Sequence, residues 1–244
     1  MRHIIKAASP PAFEAWKVAN SPTTWDALQN EPRHREEGAS YYSKRDLREA
    51  LLIEQGFICC YCQRRIENTE RTVIEHWYPR NGEDKVQGAS KMFDYQNLMA
   101  ACDGGENENK AQKASGMEQY PLWCDKNKRE FTIPLSPLQL NIESCFQYEQ
   151  WSIDEIRILP MDNRDEGVET LRILNLNTPF LEKRRGEAIA GLIFRDAETN
   201  DLISADEAAI LLANLEAQAQ VVPIGRLSPH HAVKIFFLRF ISGA

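Results

Sequence analysis

The chain has 244 residues, of which 43% are hydrophobic, and this is enough to build a packed core. Its formal net charge is -7, and no stretch reaches the run of about 20 apolar residues that a membrane span requires. These properties exclude a disordered or membrane-spanning chain, and we expect a cytoplasmic protein. Six unevenly spaced cysteines favour a metal site in a reducing compartment over a disulfide framework.

The first 56 residues, 1–56, are predicted to form a helical N-terminal extension. Ser43 and Asp46 have the spacing of a capping box ahead of an apolar helical repeat. Gly56 suits the position just past a helix end. The extension is expected to lead directly into a segment that contains most of the cysteines.

Four cysteines have the spacing of a zinc site. Two residues separate Cys59 from Cys62, so both sulfurs can turn toward one ion, and Cys102 and Cys124 can supply two more thiolates. Cys60 is expected to be buried without binding the metal. Because four thiolates leave no open position for a substrate, the zinc is predicted to be structural and to hold together a small unit.

Acidic residues and a histidine lie beside these cysteines. A β-branched run at 72–74 predicts a strand ending at Glu75 and His76; a second strand is expected near 97–99 and a helix near Asp125. An imidazole near its unperturbed pKa of about 6.5 is a competent general base at neutral pH, and carboxylates are the ligands that Mg²⁺ and Mn²⁺ prefer. The set suits metal-assisted hydrolysis of a phosphodiester bond.

Four cations in the same region are candidates for nucleic-acid binding, namely Arg80, Lys126, Lys128 and Arg129. Residues 57–132 nevertheless carry 11 basic and 12 acidic side chains, so the sequence shows no basic excess there. Because phosphate neutralisation supplies most non-specific affinity, two explanations stay open. Either the basic groups cluster only in three dimensions, or another subunit holds the nucleic acid.

Taken together, the chain resembles the ββα-metal HNH endonucleases in five motifs: Cys59-x-x-Cys62, Glu75-His76-x-x-Pro79, Asn97-Leu98, Cys102 and Cys124-Asp125-x-x-Lys128. More narrowly, DGGENENK after the single Cys102 and the Cys-Asp-x-x-Lys motif are similar to the PtuB nuclease family of Septu and retron-associated anti-phage systems. With the later tract LRILNLNTPFLEKRR, the likeness covers roughly residues 40–185.

The resemblance implies an α+β fold in which a small zinc-stapled ββα-metal HNH unit, residues 57–132, is embedded between helical extensions. It also implies that His76 is the general base, that Asn97 braces the loop carrying the metal ligands, and that Glu75 and Asp125 bind catalytic Mg²⁺ or Mn²⁺. The family further implies a PtuA-type ATPase as partner, and a retron reverse transcriptase with its multicopy single-stranded DNA as a further candidate partner.

The last metal ligand has an alternative position. Twenty-one residues separate Cys102 from Cys124, whereas compact HNH domains place two between the corresponding cysteines. In another register, Asn107 or Asn109 would be the last ligand and Asp125 would be structural.

Residues 133–244 are predicted to be a mainly helical region with a short hairpin, suited to docking a partner. The hairpin is expected near 145–161, and helices at 164–176, from Leu181 onward and at 205–219. His230 and His231 are interpreted as the start of a last helix, since adjacent helical residues do not face one site.

Three functions remain to be distinguished. The favoured one is an endonuclease that cleaves DNA as the effector of an anti-phage complex. The same active site could instead cleave RNA, such as tRNA. The third function is not enzymatic: the chain would be a non-catalytic, zinc-stapled subunit that regulates an ATPase.

Overall fold

The computed structural model describes residues 1–30, 41–152, 154–196, 201–220 and 225–244. In these ranges the fold is mixed, with many helices and three two-stranded antiparallel sheets. The helices are α1 Pro11–Asn20, α2 Lys44–Gln55, α3 Lys85–Lys91, α4 Glu106–Ala114, α5 Asp125–Lys128, α6 Asp165–Leu174, α7 Pro179–Ile193, α8 Ala205–Gln220 and α9 His231–Ser242. The strands are β1 Thr72–His76, β2 Leu98–Cys102, β3 Phe146–Ser152, β4 Glu155–Pro160, β5 Phe194–Asp196 and β6 Asp201–Leu202. None of these helices is long and apolar enough to cross a membrane.

Helix α2 begins and ends as the sequence predicts. Ser43 Oγ accepts a hydrogen bond from the Asp46 backbone N–H at 3.2 Å, and the Asp46 carboxylate accepts one from the Ser43 N–H at 3.0 Å. This is the reciprocal capping box. Gly56 follows the helix at φ 66°, a left-handed conformation that glycine adopts without a steric cost.

The central sheet pairs β1 with β2. Thr72 lies opposite Cys102 at one end, and His76 lies opposite Leu98 at the other. Every residue of β2 is buried, and the Gln55 side chain of α2 binds the backbone N and O of Ala100 at 2.7 and 2.8 Å. The strands predicted at these positions are confirmed. In this register one end of β1 lies beside Cys102 and the other end is His76.

A helix replaces part of the loop predicted between the two strands. Asp84 caps α3 by accepting hydrogen bonds from the backbone N–H groups of Val86 and Gln87 at 3.0 and 2.9 Å. The helix packs so closely on the chain after β1 that a Cβ at Gly88 would lie 2.3 Å from the Arg80 carbonyl oxygen. The polar, glycine-containing sequence concealed the helix, because its few apolar residues show no helical repeat.

The buried side chains form two hydrophobic clusters among the described residues. The larger one contains residues from each of the predicted ranges 1–56, 57–132 and 133–244, so the N-terminal extension packs directly on the cysteine-containing segment. The smaller cluster lies between α7, α8 and α9. The predicted hairpin is confirmed as β3 and β4, and the predicted C-terminal helices are confirmed as α6 to α9.

Candidate active site and cysteine cluster

Four buried cysteines converge at one end of the central sheet. The sulfurs of Cys59, Cys62, Cys102 and Cys124 all lie within 4.8 Å of one another, with Cys59 to Cys124 at 3.9 Å and Cys62 to Cys102 at 3.7 Å. Tetrahedral zinc with Zn–S bonds of about 2.3 Å requires sulfurs about 3.8 Å apart. The cluster can therefore hold a metal ion such as zinc, and it is the sole group of three or more metal-ligating side chains among the described residues.

Cationic and apolar groups surround this cluster. Cys60 is buried but stands outside the four-sulfur group, as expected. Burial works to lower the pKa of Arg64, but the charges of Cys62 and Glu108 outweigh it and raise the pKa above its ordinary value. Burial lowers the pKa of Arg185 to about 10, which leaves this guanidinium charged at neutral pH. Two positive charges thus lie near a group of thiolates that would carry excess negative charge around a divalent ion.

Glu75 lies at the end of β1 in a buried network. One carboxylate oxygen, Oε1, accepts a hydrogen bond from the Tyr61 hydroxyl at 2.8 Å and lies 2.8 Å from the Lys128 ammonium. Burial works to raise the pKa of Glu75, but Lys128 and hydrogen bonds from Asp125 and Tyr61 outweigh it and lower the pKa. Glu75 is consequently an anion whose position is fixed from two sides.

Asp125 lies against Glu75, and both side chains line the same cleft. The two carboxyl groups are hydrogen-bonded to each other, and burial, followed by the charge of Glu75, raises the pKa of Asp125 to about 8. Two neighbouring carboxyl groups repel each other when both are ionised, and either a proton or a divalent cation relieves this repulsion. These two residues thus fit the role of ligands to Mg²⁺ or Mn²⁺.

His76 is held by a backbone carbonyl and an aromatic ring. Its Nε2 lies 3.0 Å from the carbonyl oxygen of Met92, and its ring meets that of Trp25 nearly at right angles, at 4.5 Å between centroids. Because a carbonyl only accepts, Nε2 carries the proton and Nδ1 is the basic nitrogen. Burial, followed by the charge of Arg80, lowers the pKa of His76 to about 4, so the imidazole is neutral at pH 7.

Asn97 joins the start of β2 to the chain that follows β1. Its Oδ1 accepts a hydrogen bond from the Tyr78 N–H at 2.8 Å, and its Nδ2 donates to the carbonyls of Tyr78 and Lys91 at 3.1 Å each. The Asn97 carbonyl also accepts from the Trp77 N–H at 3.0 Å. The side chain therefore braces the turn beyond His76.

A cleft of about 520 Å³ opens over these residues. Glu75, His76 and Asp125 line it together, which brings the three predicted groups to one place. Comparison of the chain with protein-family models and with curated proteins finds no match. The assignment of a function therefore depends on the residues of this cleft and on the cysteine cluster beside it.

Cations from three segments also line the cleft, which the regional charge count concealed. Their side chains come from α2, from the chain after β1 and from the region of α5: Lys44, Arg48, Arg80, Lys126 and Arg129. Arg129 is exposed, whereas Arg80 and Lys126 are half-buried. Four carboxyl side chains line the same cleft, namely Glu70, Glu75, Asp125 and Glu130. The fold thus brings cations together without a large basic excess, and the role of another subunit in holding nucleic acid stays a prediction.

The role predicted for Lys128 is wrong. The sequence predicted that it contacts phosphate, but its side chain is 1% exposed and its ammonium binds Glu75 and, at 3.0 Å, the carbonyl oxygen of His76. It cannot reach a bound nucleic acid, because the helix that carries it turns this position inward. Lys128 is an internal counter-charge of the site.

The alternative register for the last ligand receives no geometric support. Asn109 is engaged with the backbone of Tyr120, accepting from its N–H and donating to its carbonyl at 2.8 Å each. Asn107 binds the Asp103 carboxylate, and both line a separate cleft. Asp125, in contrast, lies against Glu75, so it is the side chain that the fold brings to the site.

Three contributors to the site were missed by sequence reasoning. Trp25 comes from the N-terminal extension, Tyr61 lies between two cysteines, and the Met92 carbonyl belongs to the end of α3. A tryptophan or tyrosine in an apolar context has no pattern that separates core packing from an active-site contact. A backbone carbonyl has no sequence signal at all.

Proposed function

We propose that this chain is a metal-dependent HNH endonuclease that hydrolyses phosphodiester bonds, with zinc on the four cysteines as a structural ion. The observation that carries the proposal is the convergence of His76, Glu75 and Asp125 in one cation-lined cleft next to the cysteine cluster. A module that only binds zinc has no need for a neutral, tautomer-fixed histidine beside two coupled carboxyl groups.

His76 acts as the general base in this proposal. Its Nδ1 accepts a proton from the attacking water, while its Nε2 proton stays hydrogen-bonded to Met92 and disperses the charge that the ring gains. Trp25 and the Met92 carbonyl hold the ring from two sides, so little orientational freedom is lost when the reaction begins. Asn97 keeps the chain beyond the histidine in place.

Glu75 and Asp125 would hold the Mg²⁺ or Mn²⁺ ion, which supplies charge neutralisation at the phosphate and at the leaving oxygen when it is bound. Arg80 and Arg129 line the same cleft and are suited to bind phosphate oxygens and orient the backbone of the substrate. The four cysteines would fix the start of α5, which carries Asp125 immediately after Cys124.

The substrate and the partner belong to the same proposal. DNA is favoured, and the cation-lined cleft is compatible with RNA as well. The resemblance to the PtuB family supports a role as effector of an anti-phage complex with a PtuA-type ATPase, with a retron reverse transcriptase as a further candidate. The C-terminal region, residues 133–244, is the proposed docking region for such a partner.

Cleavage assays with the purified chain test the proposal. Plasmid DNA and total RNA are incubated with Mg²⁺ or Mn²⁺, with and without a PtuA-type ATPase, and the wild type is compared with His76→Ala. Metal-dependent cleavage that disappears in the variant supports the nuclease and identifies its substrate. If wild type and variant behave alike in every condition while zinc stays bound, the chain is a non-catalytic subunit.

A further inference from the structure

A buried ammonium occupies part of the proposed cation site. Lys128 is 1% exposed and Glu75 is 3% exposed, and 2.8 Å separates Nζ from Oε1. The Lys128 ammonium also donates to the carbonyl oxygen of His76 at 3.0 Å, and the Tyr61 hydroxyl donates to the same Glu75 oxygen at 2.8 Å. Oε1 of Glu75 therefore lies against both the Lys128 ammonium and the Tyr61 hydroxyl.

The position of the ammonium resembles that of a second metal ion. A carboxylate that bridges two divalent ions gives one oxygen to each of them. In this site the protein itself supplies a positive charge at Oε1 of Glu75, so part of this carboxylate is already engaged before an ion binds beside Asp125. Two carboxylates are a small set of ligands for Mg²⁺, which keeps several waters and takes phosphate oxygens to complete its coordination.

Charge also limits the affinity of this site for a free ion. When both carboxyl groups are ionised, Glu75, Asp125 and Lys128 together leave one net negative charge. Such a centre attracts a divalent ion less than two carboxylates alone would. A phosphate group in the cleft, which Glu75 and Asp125 line and Lys128 does not, adds negative charge and strengthens the binding of the ion.

We propose that Lys128 is a positioning residue and a counter-charge of this centre, so that the centre binds its divalent ion tightly only together with a nucleic-acid phosphate. The inference rests on the proposed nuclease function and extends it to the coupling between ion binding and substrate binding. Binding of ion and substrate is cooperative, because each supplies charge that the other requires.

Mn²⁺ titration followed by electron paramagnetic resonance tests the inference without using cleavage. The zinc-loaded His76→Ala chain is titrated alone and with a short DNA duplex, which this variant leaves intact. We expect one Mn²⁺ per chain and an affinity that rises about tenfold or more when DNA is present. In His76→Ala/Lys128→Met, we expect the affinity without DNA to rise about tenfold or more, and the effect of DNA to shrink.

Two control variants separate charge from packing. Lys113→Met removes an exposed cation of α4, and the Mn²⁺ affinity is expected to stay unchanged. Tyr61→Phe removes one donor from Glu75 without a change of charge, and we expect the affinity to change by less than about threefold. A Lys128 that served only to pack the core would give weaker Mn²⁺ binding in Lys128→Met, and that result would overturn the inference.

A second pair of variants covers the case in which Lys128→Met does not fold. The variants Glu75→Gln and Glu75→Gln/Lys128→Met differ only in whether the Lys128 ammonium is present. Both lack the Glu75 carboxylate, so the loss of Lys128 leaves no buried, unpaired carboxylate at position 75. The double variant is expected to bind Mn²⁺ about tenfold more tightly than the single variant. Equal affinities overturn the counter-charge role.

The outcomes also separate this inference from the nuclease proposal. If Mn²⁺ binding depends on Lys128 as expected but no nucleic acid is cut by the wild type, the nuclease proposal fails and the counter-charge role holds. If the wild type cuts nucleic acid but Mn²⁺ affinity does not respond to Lys128, the nuclease proposal stands and this inference fails.

Discussion

The Nε2 atom of His76 lies 3.0 Å from the carbonyl oxygen of Met92, at the end of a helix that the sequence did not predict. This contact assigns the tautomer of the histidine, because the carbonyl requires a proton on Nε2. It leaves Nδ1 as the basic nitrogen. The pKa of about 4 keeps the ring neutral at physiological pH, so the base is in its active form before substrate binds.

Replacing His76 should abolish cleavage and preserve the fold. We expect His76→Ala to lower the cleavage rate by at least about 100-fold, because a general base contributes 10²- to 10⁴-fold. The zinc content and far-UV circular dichroism should match the wild type. His76→Gln, which keeps most of the side-chain volume, should show the same loss of rate. His3→Ala is the control and should cleave normally; equal loss of folding in both His76 variants would contradict the catalytic role.

Removal of one of the four clustered cysteines should unfold the domain. Cys59 lies in the larger hydrophobic cluster and contributes one of four sulfurs, so Cys59→Ser should release zinc and broaden or abolish the thermal transition. Elemental analysis should give one zinc per wild-type chain and none per variant. Cys60→Ala alters the neighbouring buried cysteine, which stands outside the cluster, and should retain zinc. Zinc loss in Cys60→Ala would contradict the assigned ligand set.

Without divalent ions, Asp125→Asn should stabilise the protein at alkaline pH. The folded-state pKa of about 8 lies above the ordinary value of 3.8, so the wild-type carboxyl group contributes its full stability below pH 3.8 and loses it as the pH rises through 8. An amide does not ionise and keeps a hydrogen bond to Glu75. At pH 9 the melting temperature of the variant should exceed that of the wild type by about 3 °C or more.

The matched control for this prediction is Asp206→Asn, at an exposed position of α8. Its melting temperature should follow the wild type across the same pH range. Cleavage by Asp125→Asn should be lost even though the protein is more stable, since the site then lacks a charged ligand. A melting temperature of Asp125→Asn that falls below the wild type at pH 9 would contradict the coupling between the two carboxyl groups.

Asn97 should matter for stability as well as activity. Asn97→Ala removes three side-chain hydrogen bonds to the backbone of Tyr78 and Lys91, and leaves buried polar groups without partners. We expect the free energy of unfolding to fall by about 2–4 kcal/mol, measured by urea denaturation. Gln96→Ala, which removes one exposed hydrogen bond next to it, should cost less than about 1 kcal/mol. Similar losses in the two variants would show that Asn97 does not brace the turn.

Reversal of charge at Arg129 should weaken nucleic-acid binding. In the His76→Ala background, Arg129→Glu should lower the affinity for a DNA duplex by about tenfold. The slope of log affinity against log salt concentration should fall by about the value of one phosphate contact. Fluorescence anisotropy at several salt concentrations measures the affinity and this slope. Arg164→Glu reverses an exposed charge outside the cleft and should change neither. If Arg129→Glu binds like the wild type, another subunit holds the nucleic acid.

The sequence by itself determined the local elements and the chemistry of the candidate site. Spacing identified the four cysteines, and the capping pattern of Ser43 and Asp46 located α2, because both depend on residues close together in the chain. The β-branched run located β1. The residue types of Glu75, His76 and Asp125 were sufficient to suggest metal-assisted hydrolysis.

Only the tertiary structure decided how these residues are used. It placed Asp125 against Glu75 and kept Asn107 and Asn109 elsewhere, a choice that depends on how a long insertion between two cysteines folds back. It also turned Lys128 inward. Local sequence does not encode which face of a four-residue helix is buried, because the strand that carries Glu75, the partner of Lys128, lies far away in the chain.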